Sequence, residues 1–278
     1  MSIPPSTALR TGYAEVIGDP IAHSKSPLIH GFWLGKLGID ADYRATHIEQ
    51  DALADYFTRR KADPDWRGCN ITIPHKEKAL DHVADRGGLR ESIGAINTVL
   101  RDEDGVLIGT NTDAAGFYAP ISAMDLQDVS VAVIGAGGAA RAVLFALKRA
   151  DVGSVMLFNR TPMKGAALLA AFGLKGEALP LDAPLPPASL LVNASPLGMV
   201  GQDAYVPDLE SLPEAAVVYD LVYAPLETEL LAAARDRNLA TIDGLEMLIG
   251  QAAIAFELFF GEPAPREDDD ELRELLIA

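Results

Sequence analysis

The 278-residue chain is short of several things, and each shortage closes off a class of protein. It has one cysteine, Cys69, so neither an internal disulfide nor a cysteine-based zinc cluster can form, and a reducing, cytoplasmic setting is expected. No stretch approaches the roughly eighteen uninterrupted apolar residues of a membrane helix. The opening MSIPPSTALR carries no apolar core ahead of a cleavage-like site, so neither insertion nor secretion is expected. Basic residues are scarce: 23 Lys and Arg against 40 Asp and Glu leave a net charge of −17. A field of that sign repels phosphate backbones and anionic lipid surfaces, so no nucleic acid and no membrane partner is expected. No spacing of His and carboxylates suits zinc, and no metal is expected. Apart from the acidic run at 267–271, which reads as a solvated helix start, there is no repeat or low-complexity tract. What remains, 49% hydrophobic and 23% charged, is a globular composition that excludes disorder, collagen and coiled coil.

Short β-rich runs bounded by Gly, Pro or Asp alternate with helically spaced segments, the pattern of βα units, so the expected fold class is α/β with mostly parallel sheets. In the first part the strands fall near 14–18, 42–46 and 69–73, the helices near 27–37, 51–60 and 75–84, and a hairpin-like pair near 95–100 and 106–110. From Val129 a denser series begins, VSVAVIGAGGAARAVLFALKRA, SVMLFNRTP, SLLVNASPLG, AVVYDLVYAP and LATIDG, which reads as a second parallel sheet. A last long helix, about 245–260, can pack on either lobe. The breaks are placed near Asp113 and Gly244, giving one lobe of 1–113 with 244–278 and another of 114–243, and a cleft between lobes is the natural ligand site.

Between the apolar strand 130–134 and a helix expected at 141–150 lie Gly135, Ala136, Gly137, Gly138, Ala139 and Ala140. A dinucleotide loop needs this order: glycines let the backbone turn tightly and approach a pyrophosphate, which rests at the helix N-terminus. A tight turn without ligand is the plain alternative. The next strand, 154–158, ends in Asn159, Arg160, Thr161 and Pro162, not in the Asp or Glu that would bind a ribose 2′-hydroxyl. Arg160 attracts a 2′-phosphate, Lys164 follows one turn on, and Thr161 with Pro162 makes an N-cap and first-turn pair, so NADP is favoured over NAD.

In NITIPHKE, 70–77, a strand runs into a helix expected to begin at Pro74, which puts Lys76 in a first turn where the helix dipole disfavours a cation. A lysine there suits general acid–base chemistry, but a surface Lys paired with Glu77 is an equal reading. Asp113, ahead of a helix near Ala114, reads as an N-cap, and Asn97 as a turn or edge residue. Gln251 has apolar helix neighbours, so its buried amide needs partners that ligand hydroxyls could supply. Ser26 before Pro27 reads as an N-cap; Ser24 does not. His23 and His75 read as scaffold or site-lining residues.

Taken together, GDPIAHSKSP (18–27), NITIPHKE (70–77), GAINT (94–98), NTD (111–113), GAGGAAR (135–141), NRT (159–161), NASPLGM (193–199), YDLVYAP (219–225) and DGLEMLIGQA (243–252) resemble the shikimate dehydrogenase family, from about Tyr13 to Gly261. The resemblance implies an N-terminal substrate-binding domain, a Rossmann-like NADP-binding domain, and C-terminal helices packing back on the first lobe. It implies reversible reduction of 3-dehydroshikimate to shikimate with NADPH, on the route to aromatic amino acids. Ser24 and Ser26 would hold the substrate carboxylate; Thr72, Asn97, Tyr223 and Gln251 would line the ring-hydroxyl pocket; Lys76 and Asp113 would be the catalytic pair, also touching substrate. Gly135, Ala136, Gly137, Gly138 and Ala139 would take the pyrophosphate, Asn159, Arg160, Thr161 and Lys164 the adenosine phosphate, with Leu221 and Gly244 near the nicotinamide. Two positions depart from the family pattern: Ala114 where Gly is frequent, and Lys164 where Arg is, which forgoes bidentate phosphate recognition. A quinate or aminoshikimate dehydrogenase and a catalytically silent sensor are the competing readings. The small-molecule substrate is the expected partner, with homodimer formation left open.

Overall fold

The computed structural model describes residues 12–278, so the segment MSIPPSTALR lies outside the described residues. In chain order the elements are β1 (Tyr13–Gly18), α1 (Ser26–Leu37), β2 (Asp42–His47), α2 (Leu53–Ala62), β3 (Trp66–Ile71), α3 (Leu89–Ser92), β4 (Thr98–Arg101), β5 (Leu107–Thr110), α4 (Asp113–Tyr118), β6 (Ser130–Ile134), α5 (Gly138–Arg149), β7 (Ser154–Phe158), α6 (Pro162–Phe172), β8 (Gly176–Leu179), β9 (Leu190–Asn193), β10 (Val217–Asp220), α7 (Glu229–Asp236), β11 (Ala240–Ile242), α8 (Gly244–Phe260) and α9 (Asp269–Ile277). The fold is α/β. Two compact units form, one from the chain through Gly87 with Ile96–Thr110 and Ala252–Ala278, the other from Gly88–Ala95 and Asn111–Gln251.

The first unit is built on a five-stranded sheet in the order β2-β1-β3-β4-β5. Strand β1 runs parallel to β2 and β3, and β4 runs antiparallel to β3 and β5, so the expected hairpin is the edge of this sheet. All six residues of β1 are buried, as a strand covered on both faces requires. One of them is Glu15, which is tolerated because every lone pair is used. Its Oε1 accepts from Arg60 Nε (2.6 Å), Tyr56 Oη (2.8 Å) and Trp66 Nε1 (3.0 Å); its Oε2 accepts from Thr46 Oγ1 (2.5 Å) and Arg60 Nη2 (3.1 Å). A buried charge is stable only with such a full set of partners, and this one ties β1, β2, α2 and β3 together. The acidic run at 267–271 does open a helix, α9. That helix docks on α1: Lys36 Nζ bridges Glu271 (2.5 Å) and Asp268 (3.3 Å), and Lys25 donates to the Leu276 carbonyl.

The second unit carries six strands, all parallel, in the order β8-β7-β6-β9-β10-β11. Alternation along β6 builds both faces: Val131 and Val133 pack with Phe117, Val143, Leu147 and Leu168, while Ala132 and Ile134 pack with Leu191, Val218, Leu230 and Leu231. Strand β8 was not expected, since GEAL at a half-exposed edge lacks an apolar run. Helix α5 begins at Gly138, not at Arg141, so half of the glycine loop is its first turn.

The expected helix at 75–84 is not α-helical. Strand β3 stops at Ile71, Ile73–Pro74 is cis, turns follow, and only a 3₁₀ segment, Lys78–His82, forms. The cause is a tertiary hydrogen bond. The Lys76 carbonyl accepts from Ile96 N (2.8 Å) and so is taken from the helix ladder, while Leu80 N turns to the Glu77 carbonyl (3.4 Å).

Candidate active site

In the second unit the strand order reverses between β6 and β9, and ligands of open parallel sheets bind at the carboxyl ends of the strands beside such a point. The glycine loop leaves β6 there. Gly135 has φ +107°, donates its N–H to Phe158 O (2.8 Å), and faces Ala194 so closely that a Cβ would lie 2.8 Å from the Ala194 carbonyl oxygen. Its glycine identity is therefore required by the chain alone. Gly137 differs: its φ is −99°, and a Cβ would meet nothing within 4 Å. Nothing in the protein demands glycine there, whereas a phosphate approaching the backbone would. Helix α5 has no side-chain cap and no acid in its first turn, leaving its positive end open to an anion.

Strand β7 delivers Asn159, whose Nδ2 donates to Thr161 O (3.0 Å) and whose N–H donates to Leu179 O (3.0 Å), bracing the loop. Thr161 does take the N-cap position before Pro162, but its side chain makes no capping bond. Arg160 and Lys164 are exposed, and among the described residues neither forms an ion pair. Arg141, by contrast, reaches back to the Ile93 carbonyl (3.4 Å). Leu221 follows β10, and Gly244 opens α8 against it: a Cβ on Gly244 would lie 2.5 Å from the Leu221 and Val222 carbonyl oxygens. Tyr223 is largely buried, and burial raises its pKa, keeping the phenol protonated.

Asp113 is buried as the first residue of α4 and is not its N-cap, contrary to expectation. Asn111 Oδ1 takes that duty, accepting from Ala114 N (3.3 Å). Gln251 also finds protein partners: Nε2 donates to Leu248 O (2.8 Å) and Oε1 accepts from Thr112 Oγ1 (3.4 Å). That bond brings the start of α4, with Asp113, beside Gln251 of α8.

In the first unit Thr72, Lys76 and Asn97 lie along the carboxyl ends of β1 and β3, and Ser24 and Ser26 lie on the segment that follows β1. Thr72 N donates to Ile17 O (2.9 Å), Asp19 N to Ile73 O (3.1 Å), Ile71 N to Asn97 O (2.7 Å), and Ile96 N to Lys76 O. The expected roles of the serines are exchanged: Ser26 is the first helical residue of α1, and Ser24 Oγ accepts its N–H (3.3 Å). Lys76 stands in a turn and not in the first turn of a helix, so no helix dipole acts on it. His75 is buried scaffold, bonded through Nε2 to Ile48 O (2.6 Å), and His23 is exposed.

Residue-by-residue reading passed over Asn70, Asn193 and Asp220. Each ends or interrupts an otherwise apolar strand, and that was the available signal. Asn193 bonds Leu197 O (2.9 Å) and Asp220 Oδ1 (2.9 Å) through Nδ2, and Asp220 also accepts from Val222 N (3.0 Å) and Thr228 Oγ1 (2.7 Å), locking the loops after β9 and β10. Burial raises the Asp220 pKa, against the pull of those bonds. Among the described residues no cluster suits a metal ion, and no helix is long and apolar enough to cross a membrane.

Residues 16–99 match the model of the shikimate dehydrogenase substrate binding domain, and residues 244–269 that of the shikimate 5'-dehydrogenase C-terminal domain. The chain is 64% identical over 266 residues to the shikimate dehydrogenase (NADP(+)) of Sphingopyxis alaskensis, covering 96% of this chain and 97% of that one. Among solved structures it resembles shikimate 5-dehydrogenase from Thermus thermophilus in complex with NADP(H) and shikimate, at TM-score 0.83 and 39% identity over 95% and 99% of the two chains. It also resembles the ligand-free 5-ketofructose reductase of a Gluconobacter strain, at TM-score 0.87 and 29% identity over 97% and 100%.

Proposed function

The chain belongs to the shikimate dehydrogenase family, and from that premise we propose that it reversibly reduces 3-dehydroshikimate to shikimate with NADPH, a step of aromatic amino acid biosynthesis in the cytoplasm. The near-full-length identity to the Sphingopyxis enzyme carries this reading. NADP suits the second unit: Gly137 leaves room where a Cβ would project, the N-terminus of α5 is uncapped, and Arg160 has no carboxylate partner among the described residues. When bound, NADP supplies the hydride acceptor, and NADPH the hydride donor.

The chain's own residues then have these roles. Lys76 exchanges the proton of the reacting oxygen: in the oxidative direction the substrate carbon loses hydride and its hydroxyl loses a proton to the amine. Asp113 is the second catalytic group. Ser24 and Ser26 donate hydroxyls to the carboxylate, and Thr72, Asn97, Tyr223 and Gln251 engage the ring hydroxyls. Gly135, Ala136, Gly137, Gly138 and Ala139 take the pyrophosphate; Asn159, Arg160, Thr161 and Lys164 take the adenosine phosphate; Leu221 and Gly244 face the nicotinamide.

The test is nicotinamide absorbance with purified protein and either NADP or NAD, offered shikimate, quinate or, in the reductive direction, 5-ketofructose. Preferred turnover of shikimate with NADP supports the reading. Preference for another substrate, or binding of NADP without turnover, replaces it.

A further inference from the structure

At the carboxyl ends of β9 and β10 the second unit buries three polar side chains, Asn193, Asp220 and Thr228. Asn193 and Asp220 are direct partners across the two parallel strands, and Asn193 is also paired with Ile134, the last residue of β6 before the glycine loop. Backbone groups fix how these side chains are turned. Asn193 Oδ1 accepts from Ser195 N (3.1 Å), and Nδ2 donates to Leu197 O (2.9 Å). An N–H can only donate and a carbonyl only accept, so the amide has one orientation and presents N–H to Asp220 Oδ1 (2.9 Å). Thr228 Oγ1 accepts from Leu231 N (3.2 Å) at the start of α7 and gives its own proton to Asp220 Oδ2 (2.7 Å). With Val222 N on Oδ1 as well (3.0 Å), Asp220 meets three donors, which offset what burial costs a carboxylate.

The residue held by this arrangement is Leu221. Its N–H donates to the Asn193 carbonyl (2.9 Å), and the next N–H, that of Val222, is taken by Asp220. Its own carbonyl oxygen lies so near Gly244 that a Cβ there would stand 2.5 Å away. We propose that Asp220, with Asn193 and Thr228 as its anchors, is a positioning residue for hydride transfer, fixing the Leu221 backbone and through it the place of the nicotinamide ring. The proposal rests on the role given above to Leu221. The network is confined to one side of β6: the residues assigned to the adenosine phosphate follow β7, on the opposite side of β6 from β9 and β10. Loosening Asp220 therefore leaves the hold on the adenosine end intact and degrades the alignment of the reacting carbon, where an error of about 1 Å costs up to roughly 10²-fold in rate.

Asp220→Asn and Thr228→Val attack the network from its two ends: an amide cannot accept on both of its sides, and valine cannot donate. Thr228→Ser restores the hydroxyl, and Thr228→Val, which spares the carboxylate, keeps the test open if Asp220→Asn does not fold. The readouts are the rate of the first turnover after rapid mixing at saturating shikimate and NADP, the Kd for NADP and for NAD by calorimetry, and the unfolding midpoint, with all rates taken below the lowest midpoint. In both disruptive variants the first-turnover rate is expected to fall roughly ten- to hundredfold, with Kd for either cofactor within about twofold and with recovery of the rate in Thr228→Ser. A rate within about twofold of the wild type, or a rate lost in step with NADP affinity, overturns the proposal and leaves Asp220 a brace of the sheet ends. Failure of the wild-type protein to turn over shikimate counts against the function instead. The same comparison is then run on the substrate it does turn over, and turnover of none overturns both.

Discussion

Lys76 is held by its backbone, through the Ile96 N–H on its carbonyl, and it lies beside a cis Ile73–Pro74 bond in a segment that forms no α-helix. Lys76→Met keeps the stem and removes the exchangeable proton, so kcat is expected to fall by roughly 10²–10⁴-fold, the usual worth of a general acid–base group. NADP affinity, measured by calorimetry, should stay within about twofold, because the residues proposed to hold the nucleotide belong to the other unit; a parallel loss of binding would count against the proton role. Arg160 tests the cofactor side. Its Asn159 neighbour stays braced on the Thr161 carbonyl, so Arg160→Ala should remove one charge-assisted contact and little structure. Such a bond is worth about 1.5–3 kcal/mol, which predicts roughly ten- to hundredfold weaker NADP binding with NAD binding nearly unchanged. At this scale the sequence was a poor guide to local duty. Ser26 and Asp113 each read as helix caps, yet Ser24 and Asn111 do that work, because a cap depends on which of several neighbouring oxygens the backbone happens to face.

Elements were more legible, and the exceptions have physical causes. Strands β6 and β7 fall at the expected residues because an apolar run between turn formers has few alternatives in a parallel sheet. The segment 75–84 looked helical because propensity counts neighbours in the chain, whereas the deciding bond comes from Ile96, twenty positions away. The same distinction separates the two glycines of the loop after β6. Gly135→Ala forces a Cβ onto the Ala194 carbonyl at a backbone angle that L residues rarely adopt, so it should destabilise the second unit by about 1–3 kcal/mol. Gly137→Ala adds its methyl to open space at an ordinary φ, so its unfolding midpoint should match the wild type while NADP affinity falls. Thermal unfolding with and without NADP reads both. A Gly137→Ala protein that binds NADP normally would make the loop a turn and no more.

For the whole molecule the acid limit of stability should trace in part to one residue that no functional reading requires. His30 is fully buried between Trp33, Tyr43, Phe256 and Phe259, neither ring nitrogen has a hydrogen-bond partner among the described residues, and burial lowers its pKa to about 3. Among the described residues the titratable group stacked against it is Tyr43, which stays neutral across this range. Above pH 6.5 the imidazole is neutral whether the chain is folded or not, and folding is indifferent to pH through it. Below that value the unfolded chain takes up a proton that the folded one refuses, so stability is lost as pH falls from 6.5 toward 3, at up to about 1.4 kcal/mol per pH unit. The carboxylates and the net charge of −17 contribute their own pH dependence, so the comparison must be between two proteins that share them. His30→Leu keeps an apolar side chain in the stack and removes the titration. Measured by urea unfolding at pH 7 and pH 4.5, the wild type should lose roughly 2–3 kcal/mol more than the variant over that interval. Equal losses in the two proteins would mean that the imidazole is already protonated in the folded state, and that the ring has found a partner the buried stack does not offer.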